Sequence, residues 1–285
     1  MHNETKWIRV TRSQRCPICN KDSWCCIGEK WINCMRIVSE RTCTNGGYLH
    51  PLNGQAVQVP AREDRPTQTI DADGMMRRWF DRTSTAHYDA LALALGVAVS
   101  ALIAIKCAWA PERNAWAWPM RSGAGNVVGI RLRGNDGKKL SVTGGHEGVF
   151  LPMIRPARTV FVTEGPTDLC ALLTMGLYGI GRPSCSGGIA ALSATIARLH
   201  IREAVIIADN DRDKHHADGT LWNPGIDGAK RLANDIGVPC CIVILPVKDV
   251  RAGLNMGMKA DMLDSMVKSS VWHQPTEWCR GAEAL

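Results

Sequence analysis

Several things are scarce in this sequence, and each scarcity excludes something. No apolar run reaches the length needed to cross a bilayer; residues 90–105 come closest, and Gly96 and Lys106 argue against a span. The charged N-terminus lacks an apolar signal region, so nothing points to export and the expected location is the cytoplasm. No Gly-x-x-x-x-Gly-Lys-Ser/Thr phosphate loop occurs, which excludes a nucleotide-driven motor built on that loop. Internal repeats and low-complexity tracts are missing as well.

What remains describes a globular chain. Its 285 residues are 45% hydrophobic, enough to bury a core in one large or two to three small domains. A formal net charge of +7 suits an anionic partner, although a mildly basic enzyme would carry the same charge. The 12 cysteines are too many to be incidental, and the reducing interior expected of a chain that is not exported disfavours pairing them as disulfides. Cys16, Cys19, Cys25, Cys26, Cys34 and Cys43 crowd into one short segment, which favours a metal site. The later cysteines sit mostly in apolar runs and read as small core residues.

Composition shifts divide the chain. Residues 1–54 are cysteine- and turn-rich with little core material; 55–72, with Pro60 and Pro66, read as a linker. A second block spans 73–155, a third 156–270, and 271–285 form a tail without clear period. In the second block, 75–81, 85–95 and Val99 to Cys107 read as helices. Residues 115–120, 126–133 and 138–143 read as short strands. The third block alternates: strands at 159–164, 178–181, 204–209 and 240–245, helices at 166–176, 190–199, 225–236, 249–256 and 260–268. That order implies an α/β fold with a parallel sheet and helices on its faces.

Two of these strands end in acids. Glu164-Gly165-Pro166-Thr167-Asp168 follows the apolar run from Thr159, and Asp209-Asn210-Asp211 follows the run from Ala204. Ligands of open α/β sheets bind at the carboxyl edge of the strands. Three acids delivered there, Glu164, Asp209 and Asp211, make a site for a hard cation such as Mg²⁺ or Mn²⁺, suited to phosphoryl chemistry. Asp168, in the first turn of the next helix, either caps that helix or joins the metal. Lys248, after the strand at 240–245, either meets phosphate at the same edge or is a surface lysine. The loop from Arg212 to Pro224, with His215-His216 and Trp222, is longer than a strand-to-helix turn requires.

In the first block, Cys16-Pro17-Ile18-Cys19 has the spacing of a zinc knuckle. A structural zinc takes four ligands; Cys34 is a third, and the fourth is open between Cys25 and His50, with Cys25 favoured by the shorter loop it closes. A block this short needs such a staple.

The paired motifs, a strand-terminal Glu-Gly-x-x-Asp and a second strand ending in Asp-x-Asp, resemble the Toprim domain of bacterial-type primases, topoisomerases and some nucleases. The order of blocks is similar to bacterial and phage DNA primases: an N-terminal zinc ribbon, an α+β basic subdomain and a Toprim domain with a Rossmann-like parallel sheet. That resemblance implies that Glu164 is a metal ligand or general acid/base and that Asp209 and Asp211 hold metal. It implies that Arg131 and Lys139, then Arg133 and Lys138, contact template or nucleoside triphosphate. The implied activity is synthesis of short RNA primers on single-stranded DNA with Mg²⁺ and Zn²⁺, any helicase being a separate partner. A Toprim nuclease, or a single-strand-binding module without catalysis, is the alternative. A topoisomerase would need a nucleophilic tyrosine, and Tyr48, Tyr88 and Tyr178 lie in poor contexts for one.

Overall fold

The computed structural model describes residues 7–43, 47–52, 70–135, 137–154, 156–215 and 221–275. Most of the expected linker, the tail from 276 and His216 lie outside them. Two compact units result: Met1–Arg65 with Lys214–Trp222, and Pro66–Asp213 with Asn223–Leu285.

In the first unit, β1 (Ile8–Arg9), β2 (Cys26–Ile27), β3 (Trp31–Cys34) and β4 (Tyr48–Pro51) form an antiparallel sheet in that order. Its buried centre consists of Val10, Ile27 and Ile32 with Cys16, Cys25 and Cys34. Three fully buried aliphatic side chains are a small core; thiols share it, and Ile18, Met35 and Leu52 pack against its rim.

The second unit opens with α1 (Ala72–Arg82), α2 (Thr85–Leu95) and α3 (Val99–Ala104). Asp71 caps α1 by accepting the Gly74 N–H, and Ser84 and His87 form a capping box on α2. The helix expected to run to Cys107 stops at Ala104. Lys106 takes a left-handed conformation (φ 58°), the Cys107 N–H closes back on the Leu102 carbonyl, and the chain leaves as β5 (Ala108–Ala110). After a 3₁₀ turn at Pro111–Arg113, β6 (Ala115–Arg121), β7 (Val127–Gly134) and β8 (Lys139–Ser141) complete a four-stranded antiparallel sheet. Alternation gives this sheet two distinct faces. Ala115, Ala117, Ile130 and Leu132 pack against Met76 and Trp79 of α1. The opposite face carries Trp116, Trp118 and Met120, and across the β6–β7 ladder Trp118 pairs with Arg131 and Trp116 with Arg133.

The α/β block follows: β9 (Thr159–Glu164), α4 (Pro166–Thr174), β10 (Gly179–Arg182), α5 (Ile189–Arg198) and β11 (Glu203–Ala208). A hairpin of β12 (Lys214–His215) and β13 (Leu221–Trp222) belongs to the first unit. Then come α6 (Pro224–Asp235), β14 (Cys240–Ile244), α7 (Val250–Asn255), α8 (Ala260–Ser269) and β15 (Trp272–His273). The sheet order is β10-β9-β11-β14-β15, parallel except for β15, which pairs antiparallel with β14. Along β11, Ala204, Ile206 and Ala208 enter one core cluster with Leu192 of α5 and Leu232 of α6. Val205 and Ile207 enter another with Leu169 and Leu172 of α4 and with Trp116 and Trp118. The antiparallel sheet and the parallel sheet therefore share one continuous core, and this sets the basic face of the first against the carboxyl edge of the second.

Candidate functional site

Glu164 is the last residue of β9, and Asp209 follows β11 directly, so two adjacent parallel strands deliver carboxylates to the same sheet edge. The backbone must turn sharply at each. Gly165 takes φ +83°, a region that disfavours side chains, and hands the chain to Pro166 at the first position of α4. On the other strand, a Cβ at Gly225 would collide with the Asp209 carbonyl oxygen, so only glycine lets the start of α6 come this close. Two asparagines fix the acidic loop between them. The Asn210 N–H donates to the Lys248 carbonyl at 2.7 Å and its Nδ2 to the Leu245 carbonyl at 3.1 Å. Asn223 caps α6 through its Oδ1, while its Nδ2 donates to the Asp211 carbonyl at 2.6 Å.

A cleft is lined by Trp118, Arg131, Arg133, Lys139, Phe150, Glu164 and Pro183, among others. The basic sheet face and the strand-terminal glutamate thus open onto one space. A second, narrow pocket is lined by Glu164 together with Thr163, Arg182, Cys185, Asp209 and Gly225. Glu164 forms the wall between the two.

The electrostatics follow from burying acids together. Burial pushes Asp209 up to about 8, reinforced by Asp168, Glu164, Asp249 and Asp211. Burial raises Glu164, opposed by Lys139 and reinforced by Asp211. Among the described residues no three carboxylates draw within 4.8 Å of one another, as mutually repelling acids would not without a counter-charge. The oxygen donors, the strand-edge placement and the raised Asp209 and Glu164 fit a hard divalent cation, which would replace the protons.

Asp168 is buried, and burial followed by Asp249 pushes it up to about 6. Its Oδ1 accepts the Arg251 N–H at 2.9 Å, so it pins the first turn of α4 to α7. Lys248 lies beyond β14 at the same edge and exerts its charge on Glu164. Lys138 sits elsewhere, in a groove with Glu112, Arg113 and Leu140.

The thiols of Cys16, Cys19, Cys25 and Cys34 lie within 4.8 Å of one another. Cys25 Sγ is 3.7 Å from that of Cys19 and 3.9 Å from that of Cys34. Four sulfurs placed tetrahedrally about 2.3 Å from a zinc ion would be about 3.8 Å apart, so the set has zinc-binding geometry. Donors surround it: the Met35 N–H and Arg36 Nη1 reach Cys25, and the Ile37 N–H reaches Cys34. Burial raises Cys16 and takes Cys25 up to about 12. Cys19 falls to about 7: burial opposes this, and the Lys21 backbone and neighbouring thiols outweigh it. His50, the alternative fourth ligand, is instead engaged through Nε2 with the Ile37 carbonyl at 2.8 Å.

Sequence reasoning passed over Arg182 and Asn223, and gave Asn210 no role beyond its place between the two aspartates. The asparagines act through the backbone of residues distant in sequence, and the signal for Arg182 was a lone cation ending an apolar strand.

No protein-family model matches the sequence, and no curated protein does. Solved structures do. The DnaG primase catalytic domain bound to single-stranded DNA is 13% identical, with 70% of this chain and 78% of that one covered and a TM-score of 0.54. The E. coli primase catalytic core is 16% identical, with 70% and 79% covered and a TM-score of 0.52. The zinc-binding and RNA polymerase domains of Aquifex aeolicus primase are 14% identical, with 72% and 63% covered and a TM-score of 0.53. At such identities the likeness is one of fold, and in fold this chain is primase-like: a four-thiol ribbon, an antiparallel basic sheet and a Toprim-type parallel sheet.

Proposed function

We propose that this protein is a primase-like nucleotidyltransferase that builds short RNA primers on single-stranded DNA. The observation that carries the proposal is the single cleft in which Arg131, Arg133 and Lys139 face Glu164 at the carboxyl edge of the parallel sheet. A nuclease needs the acids; a polymerase also needs a fixed bed of cations to hold an incoming triphosphate beside them.

In this reading Arg131 and Lys139 bind phosphate oxygens, and Arg133 adds charge from the same sheet face. Glu164, Asp209 and Asp211 hold Mg²⁺ or Mn²⁺, which when bound supplies Lewis-acid stabilisation of charge on the phosphates. Asp168 keeps α4 and α7 together below the site, and Asn210 and Asn223 hold the acidic loop. The primer 3′-hydroxyl attacks the α-phosphate of the incoming nucleotide and pyrophosphate leaves, so the site must align attacking and leaving oxygens. Cys16, Cys19, Cys25 and Cys34 bind Zn²⁺ and give the ribbon a rigid surface for template, with Arg9, Arg12, Arg41 and Trp31 on it. A replicative helicase would be a separate chain.

The test is primer synthesis by the purified protein with single-stranded DNA, labelled ribonucleotides and Mg²⁺, beside an Asp209→Ala/Asp211→Ala variant. Short labelled oligomers that vanish in the variant support the proposal. Metal-dependent shortening of the DNA without synthesis would assign the site to a nuclease instead.

A further inference from the structure

Arg182 is the last residue of β10, a strand buried at all four positions, and only 5% of its surface is exposed. A guanidinium in such a place is costly to desolvate unless its donors are satisfied. It stands opposite Glu164 in the parallel ladder, and its carbonyl accepts the Gly165 N–H at 2.7 Å. Its side chain folds back over the turn at 183–188: Nε donates to the Gly187 carbonyl at 3.2 Å and Nη2 to the Cys185 carbonyl at 3.1 Å. From the other cleft, Arg131 Nη2 reaches the Pro183 carbonyl at 3.5 Å, so the turn is clasped on both sides. Arg182 lines the pocket shared by Glu164 and Asp209 but makes no ion pair with either among the described residues. A cation so fixed, beside acids it does not touch, is placed to act on the pocket through its charge.

We infer that Arg182 is a positioning residue for the carboxylate site: a permanent internal cation that holds the 183–188 turn beside Glu164 and limits how tightly the acids take a divalent cation. The inference rests on the proposed reading of Glu164, Asp209 and Asp211 as cation ligands. Its consequence has a definite sign. An arginine that merely scaffolded the pocket would, when removed, weaken cation binding. One that opposes the cation by its charge would, when removed, strengthen it.

Mn²⁺ binding to the full chain, read by electron paramagnetic resonance or calorimetry, tests this without recourse to activity. Arg182→Gln should bind Mn²⁺ more tightly than the unaltered protein, by roughly threefold or more at low salt. Arg182→Lys keeps the charge but gives up the paired carbonyl contacts of the guanidinium, so it should bind Mn²⁺ less tightly than Arg182→Gln. Equal or weaker binding by folded Arg182→Gln overturns the inference and leaves the cation site standing. Should Arg182→Gln fail to fold, Arg182→Met, which also removes the charge, decides by the same sign: Mn²⁺ binding equal to or weaker than that of the unaltered protein overturns the inference. If Mn²⁺ binding by the unaltered protein is insensitive to Asp209→Ala/Asp211→Ala, the reading of the acids falls and this inference with it.

Discussion

Replacing Cys25 with serine should remove the metal from the ribbon and unfold it, leaving the larger unit intact. Cys25 is fully buried, sits 3.7 and 3.9 Å from two partner sulfurs and accepts from the Met35 N–H and Arg36. Val10, Ile27 and Ile32 are the ribbon's fully buried aliphatic side chains, contributing together about 5–9 kcal/mol, with Ile18, Met35 and Leu52 packed partly buried against them. A structural zinc contributes an apparent 10–16 kcal/mol or so, more than the whole stability of many domains at about 5–15 kcal/mol. Loss of one thiolate therefore should exceed what the aliphatic centre can offset. Zinc per chain, measured by colorimetric release, should fall from about one to near zero. Amide exchange should lose protection across β2 and β3 and keep it across β9 and β11. Cys26→Ser, Cys43→Ser and His50→Ala should retain the metal. A Cys25→Ser protein with one zinc and a protected ribbon would refute the reasoning.

Other perturbations probe the larger unit. Gly225→Ala should drive the start of α6 away from the Asp209 carbonyl, lower thermal stability by about 1–3 kcal/mol and weaken Mn²⁺ binding; unchanged binding would mean the close approach is dispensable. Asp209 sits at about 8, above its ordinary unfolded value, so in Mg²⁺-free buffer its protonated form is the one the fold favours. Its contribution to stability should be fully present below the ordinary carboxylate range and be lost as pH rises from about 4 through about 8, a component that Asp209→Asn should remove from melting curves. Tyr88→Phe removes a buried hydroxyl that donates to the Cys107 carbonyl at 2.8 Å, and should cost about 1–2 kcal/mol in denaturant unfolding.

The parallel sheet was legible because its strands are short, nearly unbroken apolar runs punctuated by glycine, proline and acids. The run starting at Thr159 reads as a strand to Glu164, and β9 covers those residues. What escaped is what depends on contacts distant in sequence. Helix α3 stops short because the strand after Cys107 pairs elsewhere, with Ala108 opposite Ala117, a fact invisible in the local period. The two residues of β15 carry no alternation to read; they are a strand because Cys240 and Cys241 offer them an edge. At the site, residue types and strand ends pointed to the acids. Nothing local could say that Arg131, Arg133 and Lys139 share a cleft with Glu164 while Lys138 lies in another groove, since that depends on how the two sheets pack. Choosing between Cys25 and His50 likewise required the fold, which turns the imidazole toward the Ile37 carbonyl.

The central claim is that Glu164 and the basic sheet face form one nucleotidyl-transfer site. The most direct test is pyrophosphate release, measured together with incorporation of labelled ribonucleotides on single-stranded DNA, for the unaltered protein, Glu164→Gln and Arg131→Ala/Lys139→Ala. The account predicts one pyrophosphate per nucleotide incorporated, dependent on template and Mg²⁺, with both variants reduced by about two orders of magnitude or more. Only the Arg131/Lys139 variant should also show raised nucleotide KM. Nucleotide incorporation that survives both sets of substitutions, or pyrophosphate release that ignores the DNA, would contradict it.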